Sequence, residues 1–198
     1  MLKRTGLLML AASVAGCARY EGGLVSAENV DLFCRDRPTG VAPGDVNLSN
    51  VSQEQLDALA CLTRVQGDLI IWQNDALTDL SGLSSLAAVD GELVIDDNDE
   101  MVGLAGLGSL ATIDFLSISE NASLVDLSGL SGLEDVEISF VISHNDALES
   151  LTGLEQLQSA GLALRINDNP VLCQEEAFEL AARTGVSCSC WDNTGTCP

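Results

Sequence analysis

Positive charge is scarce in this chain, and lysine is almost absent. The 198 residues include eight lysines and arginines against 30 aspartates and glutamates, which gives a formal net charge of −22, and Lys3 is the single lysine. Such a charge is unfavourable for binding nucleic acid or anionic membrane surfaces, because both carry phosphate groups. It favours solubility and cationic partners.

Histidine and long apolar runs are also scarce. His144 is the only histidine, and no spacing around it predicts a Ser-His-Asp or metal triad. We therefore predict no catalytic residue, no metal site and no cofactor, and we interpret His144 as a surface residue at a turn. Beyond residue 16 every apolar run is interrupted by Asp, Asn or Gly, so no transmembrane segment is predicted in the mature chain.

The N-terminal segment predicts export. Lys3 and Arg4 precede the apolar run Gly6 to Gly16, which is too short to cross a bilayer and is typical of a signal peptide. The end of that run, Val14-Ala15-Gly16-Cys17, resembles the lipobox of bacterial lipoproteins. The resemblance implies cleavage before Cys17 and lipidation of that residue.

We therefore predict a lipoprotein signal peptide at 1–16 and a flexible tether at 17–30. Ala18 stands where an aspartate would favour inner-membrane retention, so the expected location is the outer membrane, periplasmic or surface-facing. The only membrane contact would be the lipid anchor. An ordinary secretory leader that ends in cysteine is the alternative.

An internal repeat occupies the range 67–170. Asparagine recurs there at a nearly constant interval, at Asn74, Asn98, Asn121, Asn145 and Asn169. Apolar residues stand five and three positions before each asparagine, and a leucine or methionine stands three positions after it. After the first four asparagines, leucines also follow at offsets of six, nine and twelve. A turn of this length cannot bury its own leucines and must stack on its neighbours. The repeat therefore predicts a β-rich solenoid of about five turns.

Two polar or small positions of the repeat have structural explanations. The asparagine amides are expected to form a buried ladder with backbone groups of neighbouring turns, not to contact a ligand. Glycine stands at an offset of eight after the asparagine, at Gly82, Gly106, Gly129 and Gly153. A tight corner without room for a Cβ is expected at each of these glycines.

The remaining cysteines lie at the two ends of the repeat. An even number outside the cytosol predicts disulfides, at Cys34, Cys61, Cys173, Cys188, Cys190 and Cys197. We predict an N-terminal cap at 31–66 closed by Cys34–Cys61, and a Cys-rich C-terminal cap at 171–198. For the latter we expect Cys173–Cys188 and Cys190–Cys197. A zinc site is the alternative, which the spacing and the oxidising compartment disfavour.

Both caps are expected to contain a short helix. Ser52-Gln53-Glu54-Gln55 is a capping-box pattern, and Asn50 stands one repeat interval before Asn74 in what we interpret as a degenerate first turn. The range 174–183 predicts a second helix, which Gly185 would end.

The full repeat, Gly-x-Leu-x-Ile-x-x-Asn-x-x-Leu-x-x-Leu-x-Gly-Leu-x-x-Leu over Gly91 to Leu110, resembles the receptor L-domain class of leucine-rich repeats. The similarity covers roughly the range 45 to 190. It implies a right-handed β-helix-like solenoid with small helical, disulfide-stapled caps, which binds protein ligands and has no catalytic activity. Contact residues do not transfer, because only the core positions match.

A binding site is therefore sought at the outward positions of the strands, which alternate with the core positions. The middle column, Ile70, Val94, Ser117, Val141 and Arg165, is unexpectedly apolar for so acidic a chain. The candidate ligand-binding residues are Ile70, Trp72, Val94, Phe115, Val141 and Arg165. An apolar patch rimmed by charge is typical of a binding surface, although β-branched residues favour strands regardless of exposure.

An acidic run at Asp96 to Glu100 offers a second candidate, for Ca²⁺, but it lacks the glycine and the distal glutamate of an EF-hand loop. We interpret these acids as solvated. The sequence thus predicts a non-catalytic surface module that recognises a protein or glycan. The alternatives are a structural, self-associating envelope protein and a polysaccharide-degrading β-helix enzyme, for which Arg165 is the one base available on the face.

Overall fold

The computed structural model describes residues 25–26, 29–36 and 39–197. The predicted signal peptide at 1–16 and the predicted lipidation site Cys17 lie outside the described residues. Within the described part of the chain, no helix is long and apolar enough to cross a membrane.

The described residues form short helices and mostly short strands. The helices are α1 Val30–Asp36, α2 Gln53–Asp57 and α3 Gln174–Thr184, with 3-10 turns at Ser81–Leu83 and Ser128–Leu130. The strands are β1 Val41–Ala42, β2 Val46–Ser49, β3 Arg64–Val65, β4 Leu69–Trp72, β5 Ala88–Val89, β6 Glu92–Asp96, β7 Thr112–Ser119, β8 Asp135–Ser143, β9 Ser159–Ala160, β10 Ala163–Asn167 and β11 Cys188–Trp191.

The strands form two sheets, and every pairing within them is parallel. The larger sheet has eight strands in the order β11-β10-β8-β7-β6-β4-β2, with β9 attached to β8. The smaller sheet has three strands in the order β1-β3-β5. The larger sheet extends from Val46 to Trp191, and so into both of the predicted caps.

This arrangement corrects the predicted fold class. The structure is a mostly parallel β-sheet fold of α/β-like character with two sheets and few helices, and not the predicted right-handed β-helix-like leucine-rich repeat solenoid. The smaller sheet stops after three very short strands. Later in the chain, β7 and β8 are single long strands of the larger sheet, with a bulge in their pairing between Ile113 and Phe115.

The spacing of the leucines explains the correction. After each of the first four asparagines an apolar residue, leucine in all cases but Met101, stands at every third position, as at Leu77, Leu80, Leu83 and Leu86. This spacing fits 3-10 turns, two of which form, and not the alternation of a strand. The segments therefore bury their leucines without contributing the strands that would close a β-helix.

The asparagine ladder is confirmed. Asn74, Asn98, Asn121, Asn145 and Asn169 are fully buried. From Asn98 onward, the side-chain Oδ1 of each asparagine accepts hydrogen bonds from the preceding asparagine of the ladder. For example, Asn74 donates to Asn98 Oδ1 from its backbone N at 3.2 Å and from Nδ2 at 2.9 Å. Each Nδ2 also donates to backbone carbonyls, as Asn98 does to Ile71 O at 3.1 Å and Asp96 O at 2.9 Å.

The ladder differs from the sequence prediction at its ends. Asn193, which the sequence analysis missed, is its sixth member and accepts from Asn169 Nδ2 at 2.9 Å. Its position one repeat interval after Asn169 was the available signal. At the other end Val51, not Asn50, stands at the ladder position, because the backbone N of Val51 donates to Asn74 Oδ1 at 2.9 Å.

The tight corner predicted at the repeated glycines is confirmed at Gly106, where a Cβ would have the least room. Gly106 has a φ of 115°, and a Cβ there would overlap the carbonyl oxygen of Leu80 in the preceding turn. A non-glycine residue would therefore be strained by its own backbone and by the neighbouring turn.

The N-terminal part agrees with the predicted disulfide and helix. Cys34 is bonded to Cys61, and Ser52 and Gln55 form the capping box that opens α2. Val25 is fully buried and pairs with Val46, so the packed structure extends into the range predicted as a tether.

The C-terminal disulfides differ from the prediction, whereas the helix α3 and its Gly185 cap in the left-handed conformation are confirmed. Cys173 is bonded to Cys197, and Cys188 to Cys190. Cys173 pairs through its backbone with Thr194 and Gly195, which brings the chain end beside it. Cys188 and Cys190 occupy alternate positions of β11, and so lie on one face of the strand.

Candidate binding surface

The larger sheet has one face against the core and one face toward solvent. Because its strands are parallel and in register, equivalent residues of successive strands form columns across the sheet. The inward columns contain buried leucines and isoleucines, such as Leu69 and Ile71 of β4. The outward columns form a surface that we call the outer face, in which Ser143 and Asn167 are themselves buried.

Three columns make up the outer face, as the strand registers show. The middle column is Asn47, Ile70, Val94, Ser117, Val141, Arg165 and Ser189. The column at the carboxyl ends of the strands is Ser49, Trp72, Asp96, Ser119, Ser143, Asn167 and Trp191. Toward the amino ends lie Asp68, Glu92, Phe115, Ser139 and Ala163.

All six predicted ligand-binding residues lie on the outer face. Ile70, Val94, Phe115 and Val141 are partly buried, whereas Trp72 and Arg165 are exposed. The indole Nε1 of Trp72 donates to Asn47 Oδ1 at 3.1 Å, which fixes the ring on the surface. The structure thus places all the predicted residues on one face of the larger sheet.

The outer face has a shallow depression near β8 and β10. Phe115, Val141 and Arg165 line it, together with Leu162. Leu162 is 87% exposed, an unusual environment for a leucine, and Ile138 beside it is 53% exposed. Sequence reasoning missed both residues, because they precede the regular strand positions and the repeat does not mark them as outward.

Trp191 is a further surface residue that the sequence analysis did not assign to this face. It ends β11, pairs in register with Asn167 and is 46% exposed. The outer face therefore carries an exposed tryptophan near each end of the same column, Trp72 on β4 and Trp191 on β11. The alternation Cys188-Ser189-Cys190-Trp191, with two half-buried cysteines, was the sequence signal for this last strand.

Charges on the outer face are separated. Asp68, Glu92 and Asp96 lie on or next to β4 and β6, and Asp96 Oδ1 accepts from the hydroxyl of Ser119 at 2.6 Å. Arg165 lies on β10, and no acid pairs with it within the described chain. Three strand spacings, about 14 Å, separate β6 from β10.

The acidic run lies beside the outer face, at the turns that follow the strands. Asp97, Asp99, Glu120, His144 and Asp146 line a second depression there. His144 Nε2 lies 3.7 Å from a carboxylate oxygen of Asp168. Within the described residues, the only three potential metal ligands close enough to share an ion are Cys173, Glu175 and Cys197, and these two cysteines are disulfide-bonded.

Comparisons of this chain with protein-family models, with curated proteins and with solved structures find no match. The resemblance to receptor L domains therefore stays a prediction that depends on the residues of the repeat.

Proposed function

We propose that this protein is a non-catalytic binding module of the cell envelope, held to the outer membrane by a lipid on Cys17, which recognises a protein or glycan through the outer face. The observation that carries the proposal is the middle column. Ile70, Val94 and Val141 are aligned in register and partly exposed, in a chain with a net charge of −22. Apolar surface rimmed by charged residues is the usual composition of a recognition surface.

The separation of charges supports a role in binding and not in catalysis. A β-helix polysaccharide lyase needs acidic residues with an arginine or lysine beside them, so that the cation can stabilise the negative charge that develops on the substrate. The acids of the outer face lie at β4 and β6, whereas Arg165 lies about 14 Å away on β10. The arrangement offers apolar contact, serine hydroxyls and one guanidinium group, which are groups that bind a ligand.

The envelope location rests on the signal-peptide pattern that ends at Cys17 and on the remaining cysteines. Cys34–Cys61, Cys173–Cys197 and Cys188–Cys190 use every cysteine of the described residues. Disulfides persist in oxidising compartments outside the cytosol, so this pairing is compatible with an exported protein.

A capture experiment tests the proposal. The full chain carrying Cys17→Ser, which is recovered without lipid, is compared with the same chain carrying Val94→Asp and Val141→Asp. Both are incubated with envelope proteins and glycans of the source organism, and bound species are identified by mass spectrometry. The matched control carries Val102→Asp and Val171→Asp, two exposed valines that do not belong to the outer face.

We expect the control to retain a ligand that the outer-face variant loses, with all three chains folded by circular dichroism. Equal capture by the outer-face variant and the control would place binding on another surface. Capture of nothing by any of the three would remove the support for a binding module.

A further inference from the structure

Arg165 is an exception among the arginines of the described chain. Arg35 pairs with Asp36 and Arg64 with Asp90, while Arg183 donates to the carbonyl oxygen of Leu154 at 2.6 Å. Arg165 is exposed on β10 and, within the described residues, has neither an ion pair nor a hydrogen bond. In a chain with 30 acids, this exposed arginine is therefore free to pair with a carboxylate of another molecule.

The carboxylates that could pair with Arg165 lie on the same face of the chain. Glu92 is exposed and Asp96 partly exposed, one on each side of Val94 on β6. None of the three ion pairs in the described residues involves either acid. One end of the outer face thus carries the acids and the other its single arginine, so the two ends are complementary in charge.

We propose that a second copy of this chain docks face to face on the outer face, related by a two-fold axis that runs parallel to the strands between β7 and β8. The inference rests on the proposed function, since it names the partner of the same surface. A two-fold interface uses one patch twice, so each contact between unlike residues occurs twice.

The strand order determines which residues meet. Rotation about this axis leaves the position of each residue along the strand direction unchanged and reverses the order of the strands. As a result, β6 faces β10, β7 faces β8 and β4 faces β11 of the second copy. Arg165 then lies over Val94 of the second copy, between Glu92 and Asp96. Sheets that pack face to face lie about 10 Å apart, a gap that an arginine side chain can span.

The same rotation brings the two exposed tryptophans together. Trp72 near one end of the outer face meets Trp191 of the second copy, because both residues lie in the column at the carboxyl ends of the strands. Paired aromatic side chains bury a large apolar area and are common in interfaces. Each dimer would contain this contact twice.

Other two-fold axes satisfy the charges less well. An axis through β7 would place Arg165 over Ile70, with Asp68 as the only nearby acid of that strand. An axis perpendicular to the strands would place each strand over its own copy, so that Arg165 would face β10 of the second copy, which contains no acid. The axis between β7 and β8 is the one that gives each arginine two carboxylates.

The size of the outer face predicts a reversible dimer. Six strands, each presenting about five residues, cover about 500 Å² per copy. The total of about 1,000 Å² is at the lower limit for a specific interface. Two chains of net charge −22 also repel one another, which further limits the strength of the dimer.

Charge exchange tests the proposed register. Sedimentation equilibrium of the full chain carrying Cys17→Ser measures the dimer dissociation constant of four variants. Arg165→Glu and Glu92→Arg are each expected to raise that constant about tenfold or more, because each change affects two contacts per dimer. The double variant Arg165→Glu/Glu92→Arg is expected to restore it to within about threefold. Arg64→Glu, which changes the same charge outside the outer face, is the matched control and is expected to have no effect.

Each other outcome overturns the inference. A chain that stays monomeric up to high concentration has no such interface, and a dimer that Arg165→Glu does not weaken uses another surface. If circular dichroism shows that all variants are folded and the double variant does not recover the wild-type dissociation constant, this register is ruled out. A monomeric chain that still captures a ligand lost in Val94→Asp/Val141→Asp removes the second copy as partner but leaves the proposed function in place.

Discussion

Replacing Asn98 by alanine tests the asparagine ladder at a position where the side chain has partners in both neighbouring repeats. Oδ1 of Asn98 is the acceptor for two donors of Asn74, and Nδ2 of Asn98 donates to Ile71 O, to Asp96 O and to Asn121 Oδ1. Asn98 is fully buried, so water cannot replace these partners. Alanine would remove all five interactions and leave a gap between two turns.

The magnitude follows from the groups left without partners. Gln73 still donates to Asp96 O, and Nδ2 of Asn74 keeps its bond to Leu48 O at 2.9 Å. The buried backbone N–H of Asn74 loses its acceptor, and an unsatisfied buried group costs about 1–3 kcal/mol. When the other lost hydrogen bonds of Asn98 are included, we expect the free energy of unfolding to fall by about 2–4 kcal/mol. For a urea slope of about 2 kcal/mol/M this moves the unfolding midpoint down by about 1–2 M.

Urea unfolding followed by circular dichroism measures this shift, with Asp99→Ala as the matched control. Asp99 is exposed and adjacent to Asn98 in the chain, so its replacement is expected to change stability by less than about 0.5 kcal/mol. A midpoint for Asn98→Ala equal to that of Asp99→Ala would refute the assignment of the ladder as a source of stability. A change in slope without a change in midpoint would indicate an altered unfolded state instead.

Two further predictions concern a corner and the anchor. Gly106→Ala places a Cβ against the Leu80 carbonyl at a φ of 115°. We therefore expect the free energy of unfolding, measured by thermal or urea unfolding, to fall by about 1–3 kcal/mol. The control Gly103→Ala, with open space around the added Cβ, is expected to change it much less. Cys17→Ser removes the residue that would carry the lipid, so we expect the chain to leave the detergent-extracted membrane fraction and appear in the soluble envelope fraction. An unmodified Cys17 in the intact mass of the wild-type protein would contradict the anchor.

Several features of the fold could be predicted from the sequence because they depend on residues that are equivalent by spacing. The asparagine ladder, the buried leucines and the columns of the outer face all follow from the repeat interval, since in-register stacking brings equivalent positions together. The capping box at Ser52 and the Gly185 cap depend on local backbone chemistry, and the Cys34–Cys61 bond on the absence of another cysteine nearby in the sequence.

The fold class and the C-terminal end could not be predicted in this way. A period identifies equivalent residues, but it does not determine which backbone segments of a turn pair as strands. Leu77 and Leu80 are buried in segments without strands, and β7 and β8 lengthen where β1, β3 and β5 stay very short, so two parallel sheets form where a β-helix was expected. Cysteine spacing likewise allowed three C-terminal pairings. The position of Thr194 and Gly195 beside Cys173 selected one of them.

The sequence by itself determined the buried apolar positions of the repeat and the outward positions of its strands, because alternation along a strand and repetition between strands are local and periodic properties. Only the tertiary structure decided that Arg165 has no ion-pair partner in the described chain and that Leu162 is exposed. These properties depend on distances between elements far apart in the chain, and no spacing rule contains them. They are also the properties from which the binding surface and its partner are inferred.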